Sequence, residues 1–178
     1  MNRASSYLLT DLFLAFWFRY VQPTEAALEQ GADDWVMQQR ILPDLDAFVS
    51  RPHGPWERAC QQFLWRAFRR GLLDETGFDR LGWWWEGRGA NRHSELDAVG
   101  MNGRRITLVA SCEWRNEFTK PGDLNELRRV AHRAGPDDDT RYVMFSRSGF
   151  DPSLIEIARL EDVRLVSPEQ MYDERLLG

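Results

Sequence analysis

The sequence predicts an α/β domain with a mixed sheet, preceded by a helical extension, and three observations predict it. Apolar residues recur at helical spacing from the start of the chain as far as Gly71. The pattern then changes to three short runs rich in β-branched and aromatic residues. After the third run, helical and strand patterns alternate to the end of the chain, which is the arrangement that brings a returning strand parallel to an earlier one. At 178 residues the chain suits one domain with an extension, able to bury about 70% of its unfolded surface. Residues 1–52 read as the helical extension and residues 53–178 as the α/β domain.

The first segment, "YLLTDLFLAFWFRYVQP", reads as a helix. Thr10 or Asp11 can cap its first turn, Pro23 stops it, and Leu9, Leu12, Phe13, Phe16 and Tyr20 recur at helical spacing. Leu14, Trp17 and Phe18 fall on its other faces, so the helix is apolar nearly all round and needs cover on more than one side, from this chain's own helices or from a neighbour outside it. Asp11 and Arg19 interrupt the run before it reaches the roughly 20 apolar residues of a membrane span. The next helical stretch is divided by Gly31, Pro43 and the turn at 52–55. In the helix beginning near Pro55, Trp56, Ala59, Cys60, Phe63, Leu64 and Ala67 form an inward face, and Gly71 closes it.

The segments "RLGWWWEG", "RHSELDAVGM" and "RRITLVASCEW" read as three strands, the last two joined by a hairpin turn at Asn102-Gly103. A helix follows from Gly122 or Asp123 to Ala134, with Leu124, Leu127, Val130 and Ala131 inward. Then come the strand "RYVMFS", the helix "DPSLIEIARL", the short strand "VRLVS" and a terminal helix from Pro168.

Composition excludes several functions. The formal net charge is -5 and Lys120 is the only lysine, so the chain has no general polyanion-binding coat, although local arginine patches remain. Cys60 and Cys112 are too few for a disulfide framework and have no zinc-ligand spacing, which fits a reducing cytoplasm. His53, His93 and His132 lack ligand spacing and receive no site role. No Gly-x-x-x-x-Gly-Lys-Ser/Thr loop is present, so ATP hydrolysis does not reside in this chain.

Acids instead gather around the strands. Glu57 lies on the helix before them, Asp97 on the second strand and Glu113 at the tip of the third. Carboxylates converging on one point hold Mg²⁺ through oxygen, and the ion activates water and stabilises charge on a phosphodiester. A strand aspartate followed by a strand ending Glu-x-Lys, with a glutamate on the preceding helix, is the pattern of the PD-(D/E)XK nuclease superfamily, which this sequence resembles. The resemblance is closer to the uncharacterised C-terminal domain of archaeal-type AAA ATPases, through "YLLTDLFLAFWFRYVQP", "WERACQQFL", "GWWW", "ELDAVG", "CEWRNE" and "YVMFSRSGF". It spans nearly the whole chain, and it lies in the order and spacing of these motifs rather than in any one of them.

The resemblance implies a restriction-endonuclease-like αβββαβ core, Mg²⁺ as cofactor with Asp97 and Glu113 as its ligands, DNA as a partner, and an ATPase with a winged-helix segment upstream of this chain. It also implies a departure. Alignment on Cys112 and Trp114 places Ser111 where the metal-binding glutamate is expected and Glu113 where the lysine is expected. Serine is a poor, neutral Mg²⁺ ligand, and a carboxylate in place of an ammonium reverses the charge offered to a phosphate. Glu57 can assist an Asp97/Glu113 pair, and Lys120 is a candidate displaced catalytic lysine.

Register decides whether the acids meet. A two-residue Asn102-Gly103 turn pairs Asp97 with Leu108 and leaves Glu113 too far along the ladder. A three-residue loop with Gly103 left-handed puts Asp97, Ser111 and Glu113 on one face; a twist or bulge is another route. The plain alternatives are a helix-start role for Glu57, a solvated Glu95, pairing of Glu113 with Arg115, a buried apolar role for Cys112, and core packing with one exposed ring for Trp83, Trp84 and Trp85. Two functions remain: a nuclease or nuclease-derived DNA-binding domain, or a catalytically silent interaction or regulatory module of an ATPase. Arg128, Arg129 and Arg133 leave a phosphate-contact face open to the first, or form a solvated helix flank.

Overall fold

The computed structural model describes residues 11–73, 77–87 and 94–173, and the chain divides into two compact units, Met1–Arg51 and Pro52–Gly178. In the first unit, α1 (Leu12–Phe16) starts where the Asp11 carboxylate accepts the Leu14 N–H at 2.9 Å. The alternative cap at Thr10, and Leu9 of the predicted apolar stripe, lie outside the described residues. The helix runs on through a π-helical turn, Trp17–Val21, to α2 (Glu25–Glu29), α3 (Asp33–Val36), a second π-helical turn, Met37–Ile41, and α4 (Leu42–Ser50). Ala15, Tyr20, Val36, Ile41 and Phe48 form its small core. Asp44 fastens it by accepting from Arg19 Nε at 2.6 Å and Tyr20 Oη at 2.6 Å. The all-round apolar character of the first helix is only partly absorbed: Phe13, Leu14, Trp17 and Phe18 are exposed.

The second unit is α/β, with α5 (Pro55–Arg69), β1 (Arg80–Glu86), β2 (Ser94–Asn102), β3 (Arg105–Glu113), α6 (Pro121–Ala134), β4 (Arg141–Ser146), α7 (Pro152–Leu160), β5 (Val163–Val166) and α8 (Pro168–Tyr172). The predicted start of the second strand at Arg92 and His93 lies outside the described residues. The five strands lie in the order β1-β2-β3-β4-β5. The first three are antiparallel, and β4 and β5 return parallel to β3, so the sheet is mixed. Phe63 of α5 packs on Phe145 of β4, while Leu124, Leu127, Val130 and Ala131 of α6 cluster with Leu96, Val99, Val109 and Met144. The two helices thus contact different faces of the sheet. Gly135 ends α6 in the left-handed conformation at φ 79°, a frequent glycine stop. Among the described residues no helix is long and apolar enough to cross a membrane.

Two irregularities set the register. The β2–β3 hairpin turns on Gly103-Arg104, since Asn102 still pairs with Arg105, and Gly103 adopts φ 61°. Thr107 is then extra on β3, because Gly100 faces Leu108 while Met101 faces Ile106. Between Gly82↔Val99 and Trp84↔Leu96, β2 has two residues, Asp97 and Ala98, against the single Trp83 of β1. This second bulge lets Leu96 and Val99 both join the α6 cluster. Alanine at Gly103 has a left-handed conformation to adopt, so Gly103→Ala is expected to destabilise the unit by about 1 kcal/mol in urea unfolding.

Candidate functional site

The sequence-predicted acids lie where β2 and β3 part. Their ladder ends at Ala98↔Ala110. Beyond it the backbone groups are satisfied by side chains, as buried or half-buried polar groups must be. The Cys112 N–H donates to Asp97 Oδ2 at 2.6 Å, and Gln61 Nε2 of α5 donates to the Asp97 carbonyl at 2.8 Å. A cavity of about 260 Å³ occupies the split, and its walls include Glu95, Asp97, Ser111, Glu113, Asp123 and Glu126.

Alternation along β3 places Ser111 and Glu113 with Val109 on the α6 side and Cys112 on the α5 side, where its thiol hydrogen-bonds that of Cys60. The Asp97 carboxylate, at the bulge, lies in the gap between the strands near Glu57 of α5, and it borders the same cavity as Ser111 and Glu113. Continuing the Ala98↔Ala110 register sets Asp97 across from Ser111, at the cavity that Glu113 also lines. Two bulges set this register, one at Thr107 in the hairpin and one opposite Trp83 in the β1–β2 pairing.

Glu57 stands on the Asp97 side. Its Oε2 accepts from Trp83 Nε1 at 2.8 Å and its Oε1 from the His53 N–H at 3.1 Å, so Glu57 is more than a favourable charge at a helix start. Burial, and then the Glu57 charge, push the Asp97 carboxyl up to about 7. Burial also raises Glu57, against the lowering effect of its Trp83 and His53 hydrogen bonds. Burial raises Glu113 too, opposed by the Arg115 guanidinium 3.5 Å away. Burial and its Cys60 neighbour hold the Cys112 thiol well above its usual range, so it is an inert packing group rather than a nucleophile.

Lys120 is exposed at the N-cap of α6, where its backbone N–H donates to Asp123 Oδ2 at 2.7 Å; its side chain is not part of the cavity wall. The cation beside the acids is Arg115, which pairs with both Glu113 and Asp123. Trp85 is exposed while Trp83 and Trp84 are half-buried. Arg128, Arg129 and Arg133 pair with Glu161, Glu126 and Glu86, so all three already have carboxylate partners.

Sequence reasoning gave no site role to four contributors. His53 places its ring between Glu57 and Glu95, 3.6 and 3.2 Å away, and edge-on to Trp83 at 4.4 Å between centroids. Glu95 lines the cavity two residues before Asp97, and Asp123 and Glu126 line it from one helix face. The signal for the last two was their i, i+3 spacing next to the inward Leu127 and Val130. His53 gave no signal, since its neighbours come from a later strand.

The donor set suits a hard cation in kind, because Mg²⁺ takes oxygen ligands. It does not suit one in arrangement. Mg²⁺ requires near-octahedral convergence, whereas Asp97 is engaged by the Cys112 N–H and Glu113 pairs with Arg115. Among the described residues no three His, Cys, Asp or Glu side chains stand together as a metal site.

Comparison with known proteins gives two matches. The pattern of a family described as archaeal and bacterial proteins of unknown function, DUF234, matches residues 17–128. An uncharacterized protein of Methanocaldococcus jannaschii is 25% identical over 146 residues, covering 79% of this chain and 30% of that protein. The chain therefore spans under a third of the length of this curated relative. No solved structure matches the chain.

Proposed function

The chain belongs to the DUF234 family of archaeal and bacterial proteins of unknown function, and from that premise we propose that it is a nuclease-derived module that no longer cuts DNA and serves an ATPase as an interaction or regulatory domain. The observation that carries the reading is the pairing of Glu113 with Arg115 at the position where the resemblance expects a lysine, beside Ser111 where it expects a glutamate. Phosphodiester hydrolysis of the PD-(D/E)XK kind needs a metal between two acids and a cation near the attacked phosphate. Here Ser111 replaces one ligand, a carboxylate paired with Arg115 stands at the lysine position, and Lys120 lies off the cavity.

The restriction-endonuclease-like core is part of the same proposal. A helix, a three-stranded meander, a helix and a parallel returning strand are the expected αβββαβ order, and the five-stranded mixed sheet supports it. Service within a longer protein, downstream of an ATPase and a winged-helix segment, rests on the motif resemblance. The 30% coverage of the archaeal relative supports it.

Incubation with single- and double-stranded DNA in Mg²⁺ or Mn²⁺ is expected to leave both substrates intact, for the wild type and Asp97→Ala alike. Metal-dependent cleavage by the wild type that disappears in Asp97→Ala would show an active nuclease and end the proposal.

A further inference from the structure

We propose that the cavity of about 350 Å³ in the helical unit is a binding site for the carboxylate of a small organic acid. Both π-helical turns wall it: Arg19 and Tyr20 come from Trp17–Val21, and Gln39 and Arg40 from Met37–Ile41. Such i→i+5 turns are rare and recur at functional sites, and with more residues to each revolution than an α-helix they let neighbouring side chains diverge less. Positive charge is concentrated there as well. Residues 11–51 hold seven acids and three arginines, yet two of those arginines line this cavity with a single acid, Asp44. An acidic unit therefore carries a pocket whose walls have one net positive charge. The reading does not depend on the acids at the strand ends.

The two guanidiniums differ in how they are held. Asp44 accepts from Arg19 Nε at 2.6 Å and Nη2 at 2.9 Å, and from Tyr20 Oη at 2.6 Å, so both carboxylate oxygens are engaged and Arg19 is fixed in place. The Arg19 guanidinium also lies against the Tyr20 and Phe48 rings, 5.7 and 5.9 Å from their centroids. Its Nη1 has no carboxylate partner among the described residues, and a guanidinium already fixed along one edge donates from the other with little further loss of freedom. Arg40 is exposed and has no acid partner among the described residues. These two groups are the donors for a carboxylate, and Gln39 adds an amide N–H. Charge selects the ligand. The walls neutralise a monoanion, whereas a phosphate monoester, at about −1.5 to −2, brings a further negative charge beside Asp44 that nothing answers. Pro23 and Pro43 line the same cavity and give apolar cover for the body of the acid, and the volume falls at the low end of the roughly 300–1,000 Å³ of small-molecule sites.

The test is isothermal titration of the whole chain with benzoate and, separately, with phenyl phosphate, near neutral pH. Benzoate is expected to bind with a Kd of roughly 1 mM, and phenyl phosphate more weakly. Arg40→Gln is expected to weaken benzoate binding about tenfold, the loss of a hydrogen bond to a charged group. Its urea midpoint is expected to match that of the wild type, because Arg40 is exposed and pairs with no acid among the described residues. Gln39→Ala, also at the surface, is expected to weaken binding about threefold and tests the site without removing a charge. Absence of binding at about 20 mM benzoate overturns the proposal. So does undiminished binding by either variant, or tighter binding of phenyl phosphate than of benzoate.

Discussion

Asp97→Asn is expected to raise the unfolding free energy at pH 8 by about 2 kcal/mol and to move the thermal midpoint up by roughly 6 °C. The folded protein holds the Asp97 carboxyl at about 7, against an ordinary value of 3.8, through burial and the neighbouring Glu57 charge. Between those two pH values the folded state binds more protons than the unfolded chain, so stability falls as pH rises through the window. The gap from 3.8 to about 7 corresponds to about 4 kcal/mol at most, and water at the half-buried site reduces it. Asparagine keeps an oxygen for the Cys112 N–H and carries no charge, so its advantage is near zero at pH 4 and complete by pH 8. Urea unfolding of both proteins at pH 4, 6 and 8 checks this. A variant less stable than wild type at pH 8 means that the carboxylate is held charged by a favourable partner, and the account of the site is then wrong.

The larger loss is expected from Phe63→Ala, at about 4 kcal/mol, against about 1.5 kcal/mol or less for Phe63→Leu. Phe63 is 1% exposed and meets Phe145 edge-on, with centroids 5.7 Å apart and planes at 87°. It therefore fixes α5 to the middle of the parallel strands. The same helix carries Glu57 and Gln61, so loosening it also loosens the partner of the Asp97 carbonyl. Denaturant titration gives the free energy. A loss under about 1 kcal/mol would mean that α5 does not pack on β4 as described.

Much of the second unit was legible because its elements differ in period. The inward residues predicted for α6 are the buried ones, Leu124, Leu127, Val130 and Ala131, since a 3.6-residue repeat on one covered face leaves little freedom. The strands were legible from β-branched and aromatic runs between turns. The hairpin was located to within one residue, with Gly103 left-handed as the three-residue alternative required but in a two-residue loop with Arg104. The helical extension was less legible: its two π-helical turns leave no 3.6-residue trace, and the exposure of Phe13 and Phe18 is decided by packing.

The candidate site was legible in its acids and not in their partners. Asp97, Ser111 and Glu113 do border one cavity, as their positions near strand ends suggested. Lys120 and Arg115 are five residues apart, and only the fold decides which one approaches the acids.

By itself, then, the sequence determined the element order, the mixed sheet, the inward helix faces and the acidic character of the strand tips, because these follow from local periodicity and side-chain chemistry. Only the tertiary structure decided which groups answer these acids: the Cys112 N–H on Asp97 and Arg115 on Glu113. A single extra residue opposite Trp83 interrupts the regular alternation at Asp97, and a bulge of that kind arises from pairing with another strand, which no local pattern in β2 records.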